Sequence, residues 1–118
     1  MLNLKQTSNV YLAAGSTDMR KSIDGLAIIV QMNFRLDPFS DAIFVFCNAK
    51  RDKLKLLYWE RNGFWLYYRR LEKGKFKWPN NPDDKVMHVT ERELRWILDG
   101  LDLHQNGVHR EVMQRKII

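Results

Sequence analysis

Basic and aromatic side chains are interleaved in one stretch of the sequence, residues 50–78. This stretch holds ten lysine and arginine residues against three acidic ones, a net charge of +7, whereas the whole 118-residue chain carries +6. Eight of the fourteen aromatic residues of the chain lie between positions 58 and 78. Cationic groups neutralise phosphates and flat rings stack on nucleobases, so the composition favours a nucleic acid as partner.

The dipeptide Asn62-Gly63 predicts a β-hairpin within this stretch, because it is a strong signal for a tight turn between strands. The strands would cover residues 54–61 and 64–71. A two-residue turn at this position would pair Trp59 with Leu66 and would place alternate side chains on opposite faces.

The more aliphatic face of this hairpin, which carries Leu57 and Leu66, is the one we assign to the core. The opposite face would present rings and a guanidinium group to a partner: Tyr58, Trp65, Tyr67 and Arg69. Aromatic residues in hairpins also commonly serve cross-strand packing, and alternating cations commonly keep an exposed strand soluble. Both interpretations fit the sequence.

Further cations complete the candidate nucleic-acid site. Arg20 and Lys21 lie in Thr17–Ser22, at the predicted start of a helix, where backbone amides and hydroxyls can hold a phosphate. A capped helix with a solvated charged face fits this segment equally well. The other cations assigned to the site come from the hairpin and the segment after it: Lys53, Lys55, Arg70, Lys73, Lys75 and Lys77.

Few residues are of the types and spacings that catalysis or metal binding requires. Cys47 is the single cysteine, and among the three histidines only His104 and His109 approach a zinc-ligand spacing. The triplet Asp83-Asp84-Lys85 resembles a nuclease motif but lies in a loop rich in proline and asparagine. No glycine-rich phosphate-binding loop is present. We therefore expect no catalytic residues, no metal and no cofactor.

Hydrophobic patterning predicts an α+β fold. Residues 10–14 form a short strand, and apolar residues at helical spacing predict a helix near 18–34, ended by Asp37-Pro38. Thr90 and Glu93 form a capping box at the start of a second helix. The expected fold is a small, mostly antiparallel sheet with two packed helices, the strands near 42–48, 54–61, 64–71 and 75–78 and the helices near 18–34 and 91–101.

Length and composition indicate one domain in a reducing compartment. We expect a domain over residues 1–103, followed by a basic, flexible tail over 104–118. No apolar run reaches the length of a membrane span or a signal-peptide core. Together with the lone cysteine, this predicts a cytoplasmic protein.

Eight motifs occur in one order between residues 8 and 103. They are VYLAAGSTDMRKSIDGL (10–26), LDPF (36–39), IFVFCN (43–48), YW (58–59), GFW (63–65), RLEKG (70–74), FKWP (76–79) and ELRWILDGL (93–101). In this combination the sequence resembles the TnpB accessory proteins of the insertion-sequence-sixty-six family of transposable elements.

The resemblance implies a non-catalytic accessory protein for the transposition of a bacterial insertion sequence. Such a protein is encoded beside a small TnpA and a larger TnpC transposase, and the transposase holds the acidic catalytic residues. The implied partners are DNA, at the element ends, and the transposase with other proteins of the element; an oligomer is compatible with this role. Two alternatives remain: an adaptor that docks the transposase without contacting DNA, and, less favoured, a metal-dependent nuclease subunit.

Overall fold

The computed structural model describes residues 9–79 and 83–100. Along the chain it contains β1 (Val10–Ala13), α1 (Ile23–Ile28), a π-helical segment (Ile29–Asn33), β2 (Ile43–Cys47), β3 (Lys53–Glu60), β4 (Gly63–Arg70), β5 (Val86–Val89) and α2 (Glu91–Leu98). The strands form one sheet in the order β4-β3-β2-β1-β5. Among these described strands only β1 and β2 pair in parallel, with α1 in the connection between them. The predicted α+β class with a mostly antiparallel sheet is confirmed.

The sheet has a hydrophobic core on each side, which explains the continuous apolar run of β2. On the side that we call the α1 face, Leu26 and Val30 pack with Phe44, Phe46 and Leu57. All five residues of β2 are buried, because strands flank it on both edges and helices cover both faces.

The other side of the sheet, which we call the α2 face, carries the second core. Leu94 and Ile97 of α2 pack there with Ile43, Val45 and Leu56. Cys47 also lies in this core, where burial raises the pKa of its thiol.

The first helix is shorter than predicted. It begins at Ile23, because the Asp18 carboxylate accepts a hydrogen bond from the Arg20 amide and the Asp18 carbonyl accepts one from the Lys21 amide, which closes a turn instead. The helical segment ends at Asn33, close to the predicted end near residue 34. Arg35 there adopts a left-handed conformation, with φ at 57°.

The predicted strand over residues 75–78 is wrong. The segment lies beside the turn after β2 instead of along a strand, because the Phe76 amide donates to the Arg51 carbonyl at 2.7 Å. The segment is also anchored by side chains: Phe76 is buried in the α2-face core, and the Trp78 indole donates to the Ala13 carbonyl at 3.0 Å.

The hairpin is confirmed, but its register differs from the prediction by two residues. The turn consists of Arg61 and Asn62, both in the left-handed region with φ of 50° and 65°, so Trp59 lies opposite Phe64 instead of Leu66. A shift of two residues keeps every side chain on its predicted face.

The second helix begins as predicted. Thr90 accepts a hydrogen bond from the Glu93 amide at 3.1 Å, and the Glu93 carboxylate accepts one from the Thr90 amide at 3.0 Å. The chain leaves the helix through Gly100, whose φ is 81°. The predicted last helical residue, Leu101, and the predicted tail lie outside the described residues. Among the described residues, neither helix has the length and hydrophobicity that a membrane span requires.

Replacing Thr90 by alanine is expected to lower the free energy of unfolding by about 1 kcal/mol, because the first turn of α2 loses its cap. Leu94 and Ile97 lie in the core, so the helix end is coupled to the whole domain. Urea unfolding measures the change. Thr90→Ser, which keeps the hydroxyl, is the control and should stay near the wild type; equal stability of all three proteins would contradict the assigned cap.

Candidate nucleic-acid interface

The carboxyl ends of the parallel strands β1 and β2 lie side by side. A loop follows each strand: residues 14–22 after β1 and residues 48–52 after β2. The Thr17 amide donates to the Cys47 carbonyl at 2.8 Å, and the Arg51 guanidinium donates to the Gly15 carbonyl at 2.8 Å. The two loops are therefore fixed against each other at an edge where sheets commonly bind ligands.

An open groove of about 690 Å³ lies between these loops and the adjoining end of the hairpin. We call it the basic groove, because its charged lining, among the residues that the structure describes, consists of Arg20, Lys50 and Lys53 with a single carboxylate, Asp18. Its remaining lining residues are Ser16, Thr17, Met19, Asn48, Ala49 and Tyr68. The Tyr68 ring is 53% exposed, so a flat apolar surface adjoins the cations.

Lys53 is held at the groove by the turn after β2. The Asn48 amide donates to the Asp52 carboxylate at 2.7 Å, which lowers the pKa of Asp52. The Lys53 ammonium lies 3.4 Å from the same carboxylate. Across the hairpin Lys53 is paired with Arg70, so a second cation stands beside it.

Arg20 projects from the other wall of the groove. Its guanidinium binds both oxygens of Asp18 at 2.8–3.1 Å, and its side chain is 91% exposed. Hydrogen bonds from Arg20 lower the pKa of Asp18 to about 2. The carboxylate is therefore charged at neutral pH and offsets part of the positive charge of the groove.

Lys55 ties the groove wall to the sheet. Its ammonium donates to the carbonyls of Met19 and Lys21 at 2.7 and 2.8 Å and lies 6.0 Å from the centre of the Tyr68 ring. Two of its three N–H groups are thus engaged within the protein. Lys55 contributes charge near the groove but chiefly positions the loop that carries Arg20.

Lys21 lies on a neighbouring cleft of about 440 Å³, which shares residues 16–18 with the basic groove. Asp84 and Lys85 also line this cleft. The phosphate site expected at a helix start around Arg20 and Lys21 is not formed in that way, because α1 begins only at Ile23.

The predicted aromatic face is only partly available. Trp65 is 52% exposed and stacks on Tyr67 with ring centres 6.1 Å apart, and Arg69 is exposed on the same face. Tyr58, however, is only 7% exposed and belongs to the α2-face core. The expectation that this face is free was wrong for Tyr58, because α2 covers the inner part of that face.

The other predicted cations lie outside the groove. Arg70 is exposed and paired with Glu72 at 2.8 Å. The remaining three are exposed on the segment after β4: Lys73, Lys75 and Lys77. Phe76 holds this segment near the groove, since its amide donates to the Arg51 carbonyl at 2.7 Å.

Among the basic and aromatic residues of the groove, two are absent from the predicted site: Lys50 and Tyr68. Lys50 belongs to the basic stretch of the sequence, and its place just after a fully buried strand is a signal that could have assigned it to the site. Tyr68 lies on the same face of the hairpin as Leu57 and Leu66, yet it is 53% exposed. In the described part of the chain, no group of three or more His, Cys, Asp or Glu residues is arranged to hold a metal ion.

The fold and the groove define the protein as a small α+β domain with a basic, open surface beside the ends of two parallel strands. The chain belongs to the family described as IS66 Orf2 like protein, whose model matches residues 8–107. It is therefore a transposition-associated accessory protein, and the resemblance stated from its sequence motifs is confirmed.

Two relatives from Sinorhizobium fredii (strain NBRC 101917 / NGR234) are similar over most of their length. "Uncharacterized protein y4hO" is 32% identical over 102 residues, which cover 86% of this chain and 88% of that protein. "Uncharacterized protein y4jC" is 30% identical over 102 residues, which cover 86% of each chain. No solved structure matches the chain.

Proposed function

We propose that this chain binds DNA through the basic groove as a non-catalytic accessory factor in transposition. One observation carries the proposal: Arg20, Lys50 and Lys53 converge on an open groove beside the exposed ring of Tyr68. These residues come from three separate parts of the chain, and the fold brings them to one surface.

The groove fits a sugar-phosphate backbone better than it fits a base sequence. Flexible ammonium groups neutralise phosphates as point charges, and such contacts position a protein on DNA without reading its sequence. Tyr68 can lie against a sugar or an unstacked base. The exposed cations Lys75 and Lys77 raise the local positive potential and would steer DNA towards the groove.

The proposal gives the chain no chemical step. Strand cleavage and joining require carboxylates that converge on metal ions, and the charged lining of the groove is instead mainly cationic. The accessory factor would hold DNA at the element ends for the transposase of the same element.

The proposal is tested by fluorescence anisotropy with labelled element-end DNA and a scrambled duplex over a series of salt concentrations. Three groove cations on three phosphates predict a slope of log affinity against log salt near −3, at roughly −0.9 per phosphate for B-form DNA. Both duplexes should bind, since the contacts are to the backbone. Absence of binding at low salt would overturn the proposal.

A second candidate, an adaptor for the transposase, is favoured by the exposed Trp65–Tyr67 stack on the α2 face. An interface centred on aromatic rings would be much less sensitive to salt than phosphate contacts. A complex with the transposase that persists at high salt and is lost on Trp65→Ala, without any DNA binding, would support the adaptor instead.

A further inference from the structure

β4 is an edge strand of unusual composition. In the described part of the chain it pairs only with β3, and its eight residues contain no proline. Its two charged residues, Arg69 and Arg70, stand together at one end, and four of the other six residues are aromatic: Phe64, Trp65, Tyr67 and Tyr68. Edge strands are usually protected from pairing by scattered charges, proline or bulges, and β4 lacks this protection.

The backbone groups that β4 leaves free follow from the hairpin. The pair that flanks a two-residue turn, here Glu60 and Gly63, is hydrogen-bonded, and bonded pairs then alternate along the ladder. The Leu71 amide, which donates to the Asp52 carbonyl at 2.8 Å, continues the same alternation. The residues whose N–H and C=O groups point away from β3 are therefore Phe64, Leu66, Tyr68 and Arg70.

We propose that β4 pairs antiparallel with β4 of a second copy of this chain, with Tyr67 on the twofold axis. In this register Phe64 lies opposite Arg70 of the second copy, and Leu66 lies opposite Tyr68 of the second copy. Every outward-pointing residue of both strands then has a bonded partner. A shift of two residues in either direction leaves one of the four unpaired on each copy.

The side chains favour a second copy as the occupant, because the strand is complementary to itself. On the α1 face the Arg70 guanidinium comes opposite the ring of Phe64, which already packs on Phe39 and Trp59 with ring centres 5.4 and 4.9 Å away. On the α2 face Arg69 comes opposite the exposed ring of Trp65. Cation–π pairs form on both faces, and no two arginines oppose each other.

The dimer would have one continuous sheet with both basic grooves on the same face. Strand spacings of about 4.8 Å and a rise of about 3.4 Å per residue put the two Lys53 positions roughly 25 Å apart. If the proposed function holds, the pair of grooves lets one dimer hold two segments of DNA or two separated stretches of one duplex.

Paired cysteines test both the dimer and its register. Trp65 and Arg69 would form a non-bonded pair across the interface with Cα atoms about 4.5 Å apart, within reach of a disulfide. In one chain they lie four residues apart on a strand, about 13 Å, and cannot join. The native Cys47 is fully buried, so it does not interfere.

The Trp65→Cys/Arg69→Cys double variant, mildly oxidised without DNA, should become mostly covalent dimer on a non-reducing gel. Each single variant should form about tenfold less, since identical positions lie too far apart, and mixing the two single variants should restore cross-linking. Sedimentation equilibrium of the wild-type protein should show a monomer–dimer equilibrium.

A wild-type protein that stays monomeric at the highest attainable concentration would overturn the proposal, as would cross-linking of the single variants to the same extent as the double. The outcome is independent of the proposed function. A covalent dimer that fails to bind DNA would contradict the proposed function and support the dimer. A strictly monomeric protein that binds DNA would contradict the dimer and support the proposed function.

Discussion

Replacing Phe46 by alanine is expected to lower the free energy of unfolding by about 3–5 kcal/mol, as is typical for a large aromatic side chain removed from a core. Phe46 lies in the central strand β2, is fully buried, and stacks on Phe34 with ring centres 6.1 Å apart. The strands on both sides and the helical segment above leave little freedom for the core to close around the cavity.

Two control variants separate cavity formation from loss of an aromatic ring. Phe46→Leu keeps most of the side-chain volume and should lower the free energy of unfolding by about 1.5 kcal/mol or less. Phe39→Ala changes a residue that is 54% exposed and should lower the free energy of unfolding by about 1 kcal/mol or less. Denaturant unfolding followed by fluorescence measures all three. A loss below 1 kcal/mol for Phe46→Ala would contradict the assigned core.

Burial on two faces is the part of the fold that the sequence reveals most directly. The run over residues 42–47 is apolar without alternation, and this is what a strand covered on both sides requires. Leu26 and Val30 recur at helical spacing, and both are buried against the sheet.

The hairpin register could not be predicted from the same pattern. Registers that differ by two residues place the same side chains on the same faces, so hydrophobicity does not distinguish them. Asn62-Gly63 is the stronger local turn signal, yet the turn uses Arg61 with a positive φ. Local turn preferences do not include tertiary contacts. In this hairpin β3 also pairs with β2, and Phe39 packs on Trp59 and Phe64.

The sequence indicates the charge of the candidate site but not where in the fold it forms. The basic groove exists because β1 and β2 pair in parallel, which brings residues 16–20 beside residues 48–53. Spacing along the chain carries no sign of that contact. Lys55 shows the same limit. The sequence places it among the phosphate-binding cations, but it does not reveal the contact of its ammonium with the carbonyls of Met19 and Lys21.

Reversing two charges in the basic groove, by Lys50→Glu with Lys53→Glu, is expected to weaken DNA binding at low salt by about 100-fold or more. The change removes two phosphate contacts and places two carboxylates beside Asp18, so it adds repulsion to the lost attraction. The slope of log affinity against log salt should become shallower by about 2, since each contact contributes roughly 0.9.

The matched control is Lys75→Glu with Lys77→Glu, which lowers the formal net charge of +6 by the same four units. Both control residues are exposed and lie outside the groove. The control substitutions should weaken DNA binding by about tenfold or less. Lys75 and Lys77 act only through the long-range electrostatic potential, which salt screens over about 10 Å. Anisotropy titrations compare the two pairs, and thermal unfolding confirms that both proteins remain folded. If the two pairs lost the same affinity, DNA would be responding to net charge alone, and the groove would not be its binding site.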